Sequence, residues 1–247
     1  MFVKSNSMKE RIDRELVRRG IAKTKSLADR YIKDGKISVN GVVVTNSTYK
    51  VSIDEEIVLN KENLFVSRAG EKLSFALSHF GIDVRGKIAL DVGSSTGGFT
   101  DCLLKNGIKK VYSVDVGTDQ LDLGLRDDDR VVVMEKTDIR VLKKLPEEID
   151  TAVVDVSFIS LSLIIPHLVS LIVKNGEIVL LIKPQFEMPD SSFLKNGIVE
   201  KEEYRQNAVN KIKEICENNN LNVIGIIKSP IIGGSGNIEF LLYANLI

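Results

Sequence analysis

The chain has no tryptophan, five prolines and two cysteines in 247 residues. Cys102 and Cys216 stand far apart with no CxxC partner, which argues against a disulfide framework and against a zinc site. Two reduced, buried thiols and no bound metal are the expectation. No apolar run approaches the roughly 18–20 residues needed to span a bilayer. The opening MFVKSNSMKERIDREL has no apolar core of a signal peptide, so a cytoplasmic chain is expected, with residues 1–7 an unstructured extension. Few prolines, 43% hydrophobic residues and 28% charged residues exclude a disordered or collagen-like chain. Net charge is also lacking, since 34 Lys and Arg meet 34 Asp and Glu.

That zero conceals an asymmetry. Residues 1–53 hold 12 basic side chains and 5 acidic ones, a balance of +7, which leaves −7 on the remainder. A basic module joined to an acidic body is the pattern of a polyanion-binding unit carried by a second domain.

Within the basic module, Ile12, Leu16 and Val17 recur at helical spacing over 9–19, and Gly20 stands where a helix would end. Thr24 is a candidate N-cap for a second helix that places Leu27, Ala28, Tyr31 and Ile32 on one face and stops at Gly35. Asn40-Gly41 between two valine-rich runs is a strong hairpin signal, because a type I′ turn needs positive φ at both central residues. The run RIDRELVRRGIAKTKSLADRYIKDGKISVNGVVV resembles the small αL RNA-binding domain of a ribosomal small-subunit protein, some pseudouridine synthases and tyrosyl-tRNA synthetases. Thr24-Lys25 departs from the family's usual Ser-Arg, keeping cap and charge while losing bidentate phosphate geometry. The resemblance implies structured RNA as ligand, read mainly through backbone and shape. Arg11, Arg14, Arg18, Lys23, Lys25 and Arg30 are the candidate contacts, joined by Arg68 at the start of the larger region. The expected division is an RNA-binding domain over 1–59, a linker over 60–65 and a catalytic domain over 66–247.

From residue 66 apolar strand-like runs alternate with helical segments, which predicts an α/β fold with a doubly wound sheet. The predicted strands are 88–92, 111–116, 131–134, 151–156, 177–182, 222–227 and 238–244. Only the loop SPIIGGSGN separates the last two, too short for a crossover helix, so they should pair antiparallel at the sheet edge. That loop is either a plain hairpin connection or a lid over the substrate. Six parallel strands with one reversed give the Rossmann-like sheet of S-adenosylmethionine-dependent methyltransferases.

The first strand runs into Asp91-Val-Gly93-Ser-Ser95-Thr-Gly97-Gly98-Phe-Thr100. Glycines here permit a tight turn and close approach to a ligand at the carboxyl edge of the sheet. Ser95 stands where a dinucleotide fingerprint needs glycine, and Gly97-Gly98-Phe99 lacks the Gly-Lys-Ser/Thr of a phosphate loop. Asp91, Gly93, Ser94, Ser95, Thr96, Gly97, Gly98 and Phe99 are therefore candidate cofactor contacts of another kind. Asp115, about 20 residues on, is placed to accept ribose hydroxyls. Asp138 would either meet an adenine or cap the short helix after it. Asp155, Lys183 and Glu239 each interrupt a strongly apolar stretch, where a lone charge is costly unless paired. Lys72 reads from the sequence alone as an ordinary surface lysine. His79 and His167 lack metal-ligand spacing and read as helix or surface residues.

The blocks VSRAGEKL, DVGSSTGGFT, VDVSFISL, LIKPQFE and GNIEF, in this order, resemble the FtsJ-type ribose 2′-O-methyltransferases. With the αL module in front, the whole chain is similar to the TlyA (hemolysin A-like) rRNA methyltransferase family. That resemblance implies a Lys-Asp-Lys-Glu tetrad of Lys72, Asp155, Lys183 and Glu239, with Asp155 also beside the cofactor. It implies S-adenosyl-L-methionine as cofactor and ribosomal RNA or a ribosomal subunit as partner, with a cytidine ribose as target. The chemistry asks for such residues, since a 2′-hydroxyl must lose its proton as it attacks, and an ordinary lysine of pKa about 10.4 is already protonated at neutral pH. Lys183 is the expected base, Asp155 its orienting partner, and Lys72 with Glu239 the neighbouring charges. A base-directed methyltransferase would carry Asn/Asp-Pro-Pro-aromatic where this chain has Asp155-Val-Ser-Phe158. A membrane-lytic activity, suggested by the family's label, has no spanning or long basic amphipathic segment to serve it.

Overall fold

The computed structural model describes residues 9–33, 35–60 and 65–247. The extension at 1–7 and most of the expected linker lie outside the described residues. The chain divides into two compact units between Leu64 and Phe65.

The first unit contains β1 (Glu10–Arg11), α1 (Ile12–Arg18), α2 (Lys25–Lys33), β2 (Ile37–Val39), β3 (Val42–Val43), β4 (Lys50–Val51) and β5 (Ile57–Leu59). Helix α1 starts later than the periodicity suggests, because Glu10 and Arg11 pair with Val51 and Lys50 instead. Ile12 and Leu16 are fully buried, whereas Val17 turns outward. Gly20 ends the helix at φ +70°. Thr24 caps α2 as expected, its hydroxyl accepting from Leu27 N at 3.2 Å. Asn40 and Gly41 take φ of 49° and 79°, joining β2 to β3 through the anticipated turn. Strand β5 adds to the other side of β2. Ile12, Leu16, Ala28, Ile32, Ile37 and Val51 form this unit's core.

The second unit contains α3 (Ala69–Phe80), β6 (Ile88–Val92), α4 (Gly98–Lys105), β7 (Lys110–Val114), α5 (Leu123–Arg126), β8 (Val131–Met134), β9 (Ile149–Val154) and α6 (Ile165–Leu168). It continues with β10 (Ile172–Ile182), α7 (Pro184–Glu187), α8 (Glu202–Asn218), β11 (Leu221–Lys228) and β12 (Phe240–Leu246). The sheet runs β11-β12-β10-β9-β6-β7-β8. Strand β12 is antiparallel to both neighbours, and the other pairings are parallel. This is the Rossmann-like methyltransferase arrangement, and the last hairpin closes one edge as predicted.

Strands β7 and β9 stop two residues earlier than predicted, which leaves Asp115 and Asp155 on the loops at the carboxyl edge rather than inside the ladder. Strand β10 begins five residues earlier than predicted. It passes through an irregularity at Asn175-Gly176, and a Cβ at Gly176 would fall 2.2 Å from Ile172 Cγ2. Alternate side chains of each strand feed two apolar layers. One joins Leu90, Val114 and Leu180 to Ile165, Leu168 and Ile212. The other joins Ala89, Val153 and Leu241 to Leu73 and Leu77 of α3 and to Phe99 and Leu103 of α4. Cys102 and Cys216 are buried free thiols, one in each layer, and burial pushes both up to about 12. Among the described residues no helix is long and apolar enough to cross a membrane.

Candidate active site

Two glycines set the site's first element. A Cβ on Gly70 would lie 2.8 Å from Gly98 O, and one on Gly98 would lie 2.2 Å from Ser67 Oγ. Helices α3 and α4 therefore approach backbone to backbone, which brings Lys72 beside the loop after β6. Lys72 is buried, not the ordinary surface lysine that its sequence context suggests. Its Nζ lies 2.5 Å from Oε2 of Glu239, itself 3% exposed. Glu239 sits just before β12 and packs on Gly233, where a Cβ would fall 2.2 Å from Oε1.

The loop 229–237 is an anchored connection. Asn237 is buried, its Oδ1 accepting from Val199 N at 2.9 Å and its Nδ2 donating to Gly197 O at 2.8 Å. Gly233 N also donates to Asn237 O. Sequence reasoning passed over Asn237, although it stands two residues before Glu239 in the block GNIEF.

Lys72 shares a cleft with a second ion pair. Lys183, immediately after β10, has Nζ 2.6 Å from Oδ1 of Asp155. That oxygen is buried and has no aligned hydrogen-bond donor among the described residues. The aligned hydrogen bond of Lys183 goes instead to Ser157 Oγ at 2.8 Å. Ser157 was missed by sequence reasoning, and its only signal was its place two residues after Asp155 in VDVSF.

The loop after β6 is held in left-handed conformations. Gly93 has φ +80°, and a Cβ there would lie 2.6 Å from Asp155 O. Ser95 takes φ +48°, so the position adopts a glycine-like backbone without glycine. Its N–H donates to Asp115 Oδ2 at 2.8 Å, while Gly117 N donates to Oδ1 at 2.7 Å. Asp115 thus ties the loop to the end of β7.

Gly97 and Gly98 are closely packed by their protein neighbours. A Cβ on Gly97 would strike Leu125 Cδ1 at 2.2 Å. Asp91 is another of the expected cofactor contacts. It is fully buried beneath the loop, accepting from Thr100 Oγ1 at 2.6 Å, and its Oδ1 has no hydrogen-bond partner among the described residues. Burial pushes its carboxyl up to about 7.

Two joined clefts result. The smaller, about 280 Å³, is walled by Ser67, Arg68, Lys72, Ser94, Ser95, Thr96, Phe99, Asp155, Ser157 and Lys183. The larger, about 530 Å³, has apolar walls from Val116, Ile139, Phe158 and Ile164 and carboxylates from Asp115 and Asp138. Gly93, Ser95, Asp155 and Ser157 line both. The larger cleft suits a nucleoside, with apolar surface for a ring and acceptors for hydroxyls. Lys72 and Lys183 both line the smaller. Among the described residues no group of three His, Cys, Asp or Glu could hold a metal ion.

This geometry agrees with the comparisons. A model of FtsJ-like methyltransferases matches residues 65–246, and an S4 domain model matches 10–57. The chain belongs to the TlyA group of FtsJ-like methyltransferases. It is similar to the 16S/23S rRNA (cytidine-2′-O)-methyltransferase TlyA of Mycobacterium tuberculosis, at 38% identity over 94% of this chain and 88% of that protein. It is also similar to Hemolysin A of Brachyspira hyodysenteriae, at 41% identity over 94% and 98%. A solved structure from Streptococcus thermophilus superposes with TM-score 0.76 at 40% identity, covering 96% of this chain and 88% of that one.

In this TlyA-type methyltransferase several basic residues of the S4 domain are already engaged. Arg11 binds buried Asp13 at 2.9 Å, and Arg18 binds buried Glu15 at 2.6 Å. Those arginines draw Glu15 down to about 2 and hold Asp13 below the usual carboxylate range against its burial. Lys25 lies 3.6 Å from Asp13 and Arg14 lies 3.7 Å from Glu10, both pairs leaving the basic group largely exposed. Lys23 is exposed and Arg30 half-buried. Arg19 is structural, reaching Glu15 and the carbonyls of Ser52, Ile53 and Glu55. Asp138 caps its short helix, accepting from Arg140 N at 2.9 Å and pairing with the Arg140 guanidinium at 2.6 Å. The capping reading is therefore realised, while the same carboxylate still borders the larger cleft.

Proposed function

We propose that this enzyme transfers a methyl group from S-adenosyl-L-methionine to the 2′-hydroxyl of a cytidine in ribosomal RNA, with Lys183 as general base. The observation that carries the reading is the convergence of Lys72–Glu239 and Lys183–Asp155 on one cleft that opens into a nucleoside-sized one. The residues present suit the cofactor: a carboxylate oxygen of Asp155 is buried without an aligned donor where the clefts meet. When bound, S-adenosyl-L-methionine supplies an electrophilic methyl group. Asp115 and Asp138 would take its adenosine hydroxyls and ring, and the backbone of 93–96 would take the remainder. Asp91, Gly97 and Gly98 support this site from behind the loop.

The protein's work is alignment and proton handling. The acceptor oxygen would attack the methyl carbon through a lone pair, the carbon–sulfur bonding pair would leave with sulfur, and the O–H pair would stay on oxygen as its proton passes to Lys183 Nζ. Lys72 stabilises the oxyanion character that develops, and Glu239 holds Lys72 in place. The S4 domain would grip RNA phosphates through Arg11, Arg14, Arg18, Lys23, Lys25 and Arg30, with Arg68 at the cleft wall, so that the chain works on ribosomal RNA in the cytoplasm.

The test is incubation of unmodified ribosomal subunits and free rRNA with labelled cofactor, followed by mapping of the label. Ribose 2′-O label that disappears with Lys183→Ala is expected. Label on a base would refute the reaction class, and near-parental turnover of folded Lys183→Ala would refute the base assignment.

A further inference from the structure

We infer that Ser157 is a positioning residue that aims the Lys183 amine, an inference that rests on the base assignment proposed above. Among the described residues Lys183 has two polar partners, and they differ in kind. Asp155 Oδ1 is at 2.6 Å but out of line for a hydrogen bond, so it contributes charge without direction. Ser157 Oγ is at 2.8 Å and in line, so it contributes direction. A lysine amine turns freely about its last carbon–nitrogen bond unless one N–H is committed to an acceptor. The bond to Ser157 stops that rotation. With that position fixed, one of the remaining tetrahedral positions on nitrogen is left for the proton being transferred.

The backbone places Ser157 for this work. It follows β9 by three residues, on the loop whose Asp155 N–H donates to Val92 O at 2.9 Å, so the segment is fixed to the neighbouring strand end. The next residue, Phe158, takes φ +63° and rests against Phe186 at a centroid distance of 5.2 Å. The left-handed backbone there bends the chain directly after Ser157, which lines both clefts. Phe186 in turn lies 5.9 Å below the Lys183 amine. Serine and lysine are thus framed by the same aromatic pair. Once its oxygen is engaged by Lys183, the serine's own O–H remains a donor toward the acceptor oxygen.

The test compares Ser157→Ala, Ser157→Thr and Lys183→Ala in the full chain. Single-turnover methyl transfer at saturating RNA, the KM for RNA, calorimetric cofactor affinity and thermal unfolding are measured for each. Ser157→Ala is expected to lower the transfer rate about ten-fold, the range of one aligned hydrogen bond. Cofactor affinity, KM for RNA and unfolding temperature should stay within about two-fold or a few degrees of the parent. Ser157→Thr, which retains the hydroxyl, should restore most of the rate. A parental rate in Ser157→Ala overturns the inference. So does a rate loss matched by weaker cofactor binding, or a threonine variant no better than alanine. If Lys183→Ala is inactive and Ser157→Ala is parental, the base assignment stands and the serine alone is excluded. If folded Lys183→Ala works at the parental rate, both ideas fall.

Discussion

Replacing Asp91 with asparagine should change how the stability of the methyltransferase unit depends on pH. Asp91 is wholly enclosed beneath the loop after β6, with one oxygen unpaired. Desolvation, aided by the charges of Asp155 and Asp115, pushes its pKa up to about 7 from 3.8, against the bond from Thr100. A carboxyl whose folded pKa is raised binds its proton more tightly in the folded state. Its stabilising influence is therefore full below about pH 4 and is lost as pH rises towards 7. The interval from 3.8 to about 7 corresponds to roughly 4 kcal/mol at about 1.4 kcal/mol per unit, of which roughly 3 falls between pH 5 and 8.

Asparagine has no proton to lose. The stability of Asp91→Asn relative to the parent should thus climb by about 3 kcal/mol from pH 5 to pH 8, or roughly 6–12 °C in Tm. Any constant penalty for a buried amide drops out of that slope. The chain has no tryptophan, so calorimetry or far-UV dichroism is the assay. A difference between variant and parent that stays flat across this range would show that Asp91 is ionised at no such cost, and the reasoning would fail.

The Lys72–Glu239 pair predicts a second stability effect. Glu239→Ala leaves a buried ammonium without its partner and should cost about 3 kcal/mol, while Lys72→Met with Glu239→Leu should recover much of it, as denaturant titration would show. A double variant no more stable than Glu239→Ala would contradict this. In the S4 domain two basic residues should behave differently. Arg19→Ala removes contacts to Glu15 and three carbonyls and should loosen the domain, lowering its hydrogen-exchange protection. Lys23→Ala should leave protection unchanged and lower the salt slope of RNA binding by about one. Equal protection in the two variants would reverse the assignment.

Much of the fold was legible because its signals are local. Asn40-Gly41 demanded a turn that few other dipeptides favour, and the seven apolar runs of the larger unit marked its sheet. The errors lie where long-range pairing outbids local pattern. Glu10 and Arg11 join a strand formed with Lys50 and Val51, and β10 continues through Lys174-Asn175-Gly176, a turn-like triplet, because the neighbouring strand still offers partners. In the site, Asp155, Lys183 and Glu239 announced themselves as charges amid apolar residues. Lys72 could not, because its burial arises from two glycines, Gly70 and Gly98, that are distant in sequence and adjacent in space. Ser157 was silent for another reason: a small neutral residue gives no composition signal, and its contact is defined only once Lys183 is placed. The charge total misled in the basic module as well, since Arg11, Arg18 and Arg19 are partly taken up by Asp13 and Glu15.

The position of β12 bears on the order in which the enzyme comes into being. Among the described residues strand β11 pairs only with β12, and β12 alone links it to β10. A chain emerging from its N-terminal side can lay down β6 to β10 in sequence, yet β11 must wait without a ladder until the strand after it has been made. Glu239 arrives with that same strand, 167 residues after the lysine it neutralises. The insertion that joins β11 to the sheet is therefore also the event that completes the charge pair, and an incompletely synthesised chain holds Lys72 without its carboxylate.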